Sequence, residues 1–185
     1  MHFYGRTEEI ATLQHFWNVV QTRKTAQMVS VFGRRRVGKT TLIRKAFENE
    51  TAPVLSFMVQ DRSEASTAQA WTQAVCRTFN IPYAPTFTKA ADVIAFAMSL
   101  AKTQPAVFII DECQAFNRWA PAFWSELQNV WDRQRDESPL LLVMSGSIVS
   151  AMEDIFGNAS RPLFGRTSGQ IEVRPFAPSV IRQIM

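Results

Sequence analysis

Apolar positions along this chain fall into two alternating rhythms. Ile10, Leu13, Phe16, Trp17 and Val20 recur every three or four residues, the spacing that gathers side chains on one helix face. Glu8 and Glu9 stand where the start of a helix favours negative charge. A helix is therefore expected over residues 7–20, with Thr7 as its N-cap. Met28-Val29-Ser30-Val31-Phe32 is short and rich in apolar and β-branched residues, and reads as a strand. Leu42, Ile43, Ala46 and Phe47 then resume the helical spacing. The alternation continues with a strand over 54–59 and a helix over 65–79, which carries Ala68, Trp71, Val75 and Phe79 on one face. Pro82 and Pro85 break the chain before a helix over 88–102.

Ala106-Val107-Phe108-Ile109-Ile110 is apolar without interruption and ends at Asp111-Glu112. A run of that kind between helices belongs to a strand covered on both faces, as in a parallel sheet. Trp119, Phe123, Trp124, Leu127, Val130 and Trp131 recur at helical spacing, a stripe expected to pack on the sheet rather than to face a partner. Leu140 to Met144 is the next buried strand and leads into Ser145-Gly146-Ser147. Residues 157–169 read as a loop, and 170–173 as a last strand. Strands alternating with helices predict an α/β sandwich with a mostly parallel sheet. Ligands in such sheets bind beyond the carboxyl ends of the strands, and Gly33, Asp111 and Ser145 all follow strand ends.

The turn between the strand at 28–32 and the helix after it carries the chemistry. Gly33-Arg34-Arg35-Arg36-Val37-Gly38-Lys39-Thr40 matches G-x-x-x-x-G-K-[ST] in full, with a strand entering and a helix leaving. Gly33 and Gly38 accept backbone angles closed to other residues, so the loop can curl until successive N–H groups face one anion. The helix start, including Thr41, adds the positive end of its dipole. Lys39 is expected to reach the β- and γ-phosphates, and the Thr40 hydroxyl to ligate Mg²⁺. Asp111 and Glu112 are the matching acids: Asp111 to hold Mg²⁺, Glu112 to polarise an attacking water. A water-activating glutamate suits an ATPase, whereas a small-molecule kinase needs none.

Composition narrows the setting. With 185 residues, 46% of them hydrophobic and 19% charged, the chain has the make-up of a soluble domain with a substantial core. Its net charge of +4 is mild, and its dense basic cluster, Arg34 to Arg36, lies inside the phosphate loop, so a nucleic-acid partner is not expected of this piece. No stretch approaches the roughly 20 apolar residues of a membrane span, and the first residues lack the regions of a signal peptide, which points to the cytoplasm. Cys76 and Cys113 have neither disulfide-framework nor zinc-site spacing and read as reduced thiols.

Five segments in order, Phe3-Tyr4-Gly5-Arg6 with Glu9, the phosphate loop, Ile109-Ile110-Asp111-Glu112-Cys113-Gln114, Ser145-Gly146-Ser147, and Pro162-Leu163-Phe164-Gly165-Arg166-Thr167, resemble the AAA-like ATPase domain of archaeal and bacterial P-loop proteins, a branch of the STAND NTPases. The resemblance implies a three-layer P-loop sandwich whose five-stranded sheet has an extra strand between those bearing the phosphate loop and the acids. It implies that Tyr4, Gly5 and Arg6 lie near the adenine, and that Ser145 or Ser147 senses the γ-phosphate. Arg166 resembles a charge-stabilising arginine, acting within the chain or on a neighbouring subunit; the alternative is a loop arginine satisfied by a nearby carboxylate. Adenine over guanine rests on this resemblance and on the lack of an Asn/Thr-Lys-x-Asp segment.

The family continues into a helical lid and a winged helix. Residues 1–175 are accordingly expected to be the ATPase domain, and 176–185 the start of a truncated lid. The expected function is Mg-ATP hydrolysis driving a conformational change, slow without a lid. ATP is the expected ligand, with self-association or another protein as further partners. The alternatives are a nucleotide-controlled binding switch and a DNA-associated ATPase that uses a missing winged helix.

Overall fold

The computed structural model describes residues 5–60 and 63–175; Tyr4 and the lid expected over 176–185 lie outside the described residues. Five strands form one sheet in the order β2-β3-β4-β1-β5, with β1 at Gln27–Phe32, β2 at Val54–Met58, β3 at Ala106–Asp111, β4 at Leu140–Gly146 and β5 at Gly169–Glu172. All four neighbouring pairs are parallel. β4 lies between β1 and β3, so the strand leading into the phosphate loop is separated from the strand bearing the acids by one strand, as the resemblance implies.

Alternation along the strands divides the core. Val29 and Val31 of β1, Val107 and Ile109 of β3, and Leu141 and Val143 of β4 face α1 (Thr7–Arg23) and α2 (Lys39–Ala46), where Leu13, Trp17, Val20, Leu42 and Ile43 bury against them. Met28, Phe32, Phe108, Ile110, Leu142 and Met144 face the other way. They meet α3 (Glu64–Thr78), α4 (Ala90–Ala101), α6 (Phe123–Gln134) and α7 (Val149–Gly157). Helices on both faces explain why β3 and β4 are buried along their whole length.

Three local expectations need correction. Thr7 is the first residue of α1; Arg6 occupies the cap position, and no side chain caps that end. The stripe from Trp119 to Trp131 is not one helix: α5 (Phe116–Trp119) ends before Pro121, and α6 starts afresh at Phe123. Helix α7 falls in a segment for which no element was expected, with Met152, Ile155 and Phe156 buried. The stripe itself packs inward, Trp131 at 1% exposure and Trp124 at 6%.

The register of the parallel strands brings their carboxyl ends to one edge. Phe32 stands beside Gly146, and Ile110 beside Met144. The phosphate loop, Asp111-Glu112 and Ser147 therefore emerge together. Among the described residues no helix is long and apolar enough to cross a membrane.

Candidate functional site

The turn from β1 into α2 is held by two different constraints. Gly33 lies so close to the chain after β5 that a Cβ would sit 2.2 Å from the Val173 carbonyl oxygen. That approach is fixed by the Val173 N–H, which donates to the Phe32 carbonyl at 2.7 Å. At Gly38 the space is open, but φ is 93° at the N-cap of α2, a backbone state that a side chain strains. Arg36 also adopts a left-handed conformation, with φ 66°. The loop thus curls ahead of a helix whose first N–H groups have no intrahelical acceptor, an arrangement that attracts anions.

Lys39 leads α2 and is 6% exposed. Its ammonium donates to the carbonyls of Gly33 at 2.9 Å and Arg34 at 3.1 Å. Burial pushes the amine below the ordinary lysine range, and the nearby Glu112 and Asp111 carboxylates pull it back up. Arg34, Arg35 and Arg36 are exposed around it, and Val37 is half-buried beneath.

The acids come from the end of β3. Asp111 Oδ2 accepts a hydrogen bond from Thr40 Oγ1 at 2.7 Å, joining the acid strand to the phosphate-loop helix. Its Oδ1 accepts from the Glu112 N–H at 3.0 Å. Glu112 stands in the left-handed region, φ 56° and ψ 36°, at the entry to a 3-10 turn over Cys113–Ala115. Glu112 Oε2 accepts from Gln114 Nε2 at 2.6 Å and from Ser147 Oγ at 2.7 Å. One carboxylate oxygen therefore ties the turn after β3 to the end of β4.

Arg35, Arg36, Gly38, Lys39, Thr40, Thr41 and Glu112 line a cleft of about 600 Å³, within the range of small-molecule sites. Its chemistry suits a polyphosphate: cations and helix N–H groups line it together with one carboxylate, Glu112. Thr40 and Asp111 supply hard oxygen donors 2.7 Å apart, the ligand type that Mg²⁺ takes. Among the described residues no group of three or more His, Cys, Asp and Glu could hold a metal. The donor set thus fits a cation that completes its shell with phosphate and water oxygens rather than one caged by protein.

The other expected site residues do not line this cleft, though two of them bond residues that belong to it or to its loop. Ser145 is fully buried and its hydroxyl makes no hydrogen bond among the described residues; Ser147 is the serine whose hydroxyl reaches Glu112. The Arg6 guanidinium donates to the carbonyls of Val37 at 3.3 Å and Arg174 at 2.5 Å and pairs with Glu9 at 3.0 Å. It braces the loop from behind. Gly5, with φ 71°, lines a separate cleft with Glu8, Glu9 and Glu172. Arg166 grips Asp132 through Nε at 2.8 Å and Nη2 at 2.7 Å, while Nη1 donates to the Pro162 and Phe164 carbonyls. Gln114 was not expected as a site residue. The available signal was an amide two residues past the acids, flanked by Cys113, Ala115 and Phe116.

Comparison with known proteins bears on the family and the fold. The family profile described as an AAA domain matches residues 22–152. An uncharacterized ATP-binding protein of Methanocaldococcus jannaschii is 44% identical over 48 residues, covering 26% of this chain and 75% of that protein. A second uncharacterized protein of the same organism is 24% identical over 173 residues, 94% of this chain but 36% of that protein, so the chain spans about a third of that relative's length. Among solved structures, a Walker-type ATPase of Pyrococcus abyssi superposes with a TM-score of 0.65 at 22% identity, over 96% of this chain and 55% of its own.

Proposed function

Since the chain belongs to the AAA domain family, whose fold here is that of an archaeal P-loop ATPase domain, we propose that it binds Mg-ATP in the cleft at the strand ends and hydrolyses it to drive a conformational change. The observation that carries this reading is the 2.7 Å hydrogen bond from Thr40 to Asp111. It joins the phosphate loop and the acid strand into one polar centre beside Lys39.

In this reading the backbone from Gly33 to Thr41 cradles the phosphates, and Lys39 exchanges its carbonyl partners Gly33 and Arg34 for phosphate oxygens. The exposed side chains of Arg34, Arg35 and Arg36 add positive charge at the rim. Thr40 and Asp111 would hold Mg²⁺, which when bound offsets the negative charge on the phosphate oxygens. Glu112 takes the proton of the attacking water, and Ser147 is the serine in reach to report the γ-phosphate through Glu112. The adenine side is proposed for Tyr4, Gly5 and Arg6 on the family resemblance alone. For Arg166 to stabilise charge in the reaction, in its own chain or on a second copy, it must first leave Asp132.

The test is calorimetric titration with ATP in the presence of Mg²⁺, wild type against Lys39→Ala. Loss of one charge-assisted contact with phosphate is expected to weaken binding about tenfold or more. Equal affinity in both proteins would overturn the assignment of the loop.

A further inference from the structure

Glu112 is the residue to which the proposed hydrolysis assigns the water, and its side chain is held through one of its two carboxylate oxygens. Both hydrogen bonds to its carboxylate converge on Oε2, from Gln114 at 2.6 Å and Ser147 at 2.7 Å. Gln114 belongs to the 3-10 turn entered directly from Glu112 and is 8% exposed. Its amide oxygen is buried without a hydrogen-bond partner. An amide kept that far from water at the cost of an unsatisfied oxygen needs a compensating contact, and among the described residues its side-chain bond runs to Glu112.

Two further features fit that contact. Gly146 leaves the room that the amide occupies: a Cβ there would lie 2.5 Å from Gln114 Oε1 and 2.3 Å from Met152 Sδ. The backbone of Glu112 is itself in a left-handed state, uncommon for a residue with a side chain. It is secured by the Asp111 Oδ1 contact to its N–H and by the Gln114 bond across the same turn. With φ and ψ fixed and one oxygen fixed, the remaining freedom of the carboxylate is small.

We infer that Gln114 is a positioning residue for Glu112, holding Oε2 so that Oε1 is presented to the attacking water. The inference rests on the hydrolytic reading of Glu112, but the hydrogen bond can be tested without turnover. Gln114→Leu keeps the volume and removes the donor. If the clamp acts as described, kcat for Mg-ATP falls roughly tenfold, the size expected when a buried charge-assisted bond is lost, while ATP affinity stays within about twofold. In a Glu112→Gln background the same change has no further effect on kcat, because there is no carboxylate left to position.

Alongside, the ¹³C carboxylate resonance of Glu112, assigned by its disappearance in Glu112→Gln, should shift in Gln114→Leu. A shifted resonance with undetectable wild-type turnover would sink the hydrolytic reading and leave the clamp standing. An unmoved resonance, a loss of ATP affinity as large as the loss in kcat, or an additive loss in the Glu112→Gln background would each overturn the positioning role.

Discussion

At the scale of single residues, the phosphate loop combines backbone demands with a buried cation. Gly33 is required by closeness to the chain just after β5, Gly38 by its own φ of 93°. Gly33→Ala is therefore expected to destabilise the fold by about 1–3 kcal/mol, since the Val173 carbonyl is backbone and cannot step aside. A lowered urea midpoint with unchanged slope would show it; an unchanged midpoint would contradict the close approach. The motif's glycines and its lysine were legible in the sequence because their spacing is itself the chemistry. Gln114 was not, because nothing in a lone glutamine two residues past two acids distinguishes a buried donor from a solvated one until β4 is folded beside it. Which of Ser145 and Ser147 reaches Glu112 also waited on the fold: both are buried, but Ser145 lies within β4 while Ser147, just past the strand end, bonds the carboxylate.

At the scale of elements, the connections between helices and strands decide what their polar residues do. Arg166, ahead of β5, is bound bidentately by Asp132 of α6, pinning the loop over 161–166 to that helix. The Arg166 guanidinium holds the Asp132 carboxyl below its ordinary range. A carboxyl depressed on folding adds stability above its unfolded value, near pH 4, and loses it as the pH falls through the folded value. Asp132→Asn should therefore cost at most about 1 kcal/mol near neutrality, since both side chains are partly exposed and the pair is screened. The difference from wild type should vanish toward pH 2 in thermal melts. A difference that persists unchanged into acid would mean that packing, not the ion pair, holds the loop. Helix periodicity located α1, α3 and α4 well; it overlooked the break at Pro121, where the tryptophan stripe keeps its rhythm across two helices, and missed the short α7.

At the scale of the whole molecule, five parallel strands with helices on both faces gather the phosphate loop, the two acids and Ser147 at one edge of the sheet. The alternation of apolar runs predicted that architecture, whereas the order of the strands did not follow from periodicity and came from family resemblance. The most direct measurement is phosphate release from Mg-ATP by the purified chain beside Glu112→Gln, with ATP binding recorded for both. The account predicts release by the wild type that falls about a hundredfold or more in the variant, with binding retained. Equal turnover by the two proteins, or binding without release by either, would contradict the claim that Glu112 activates water in this domain.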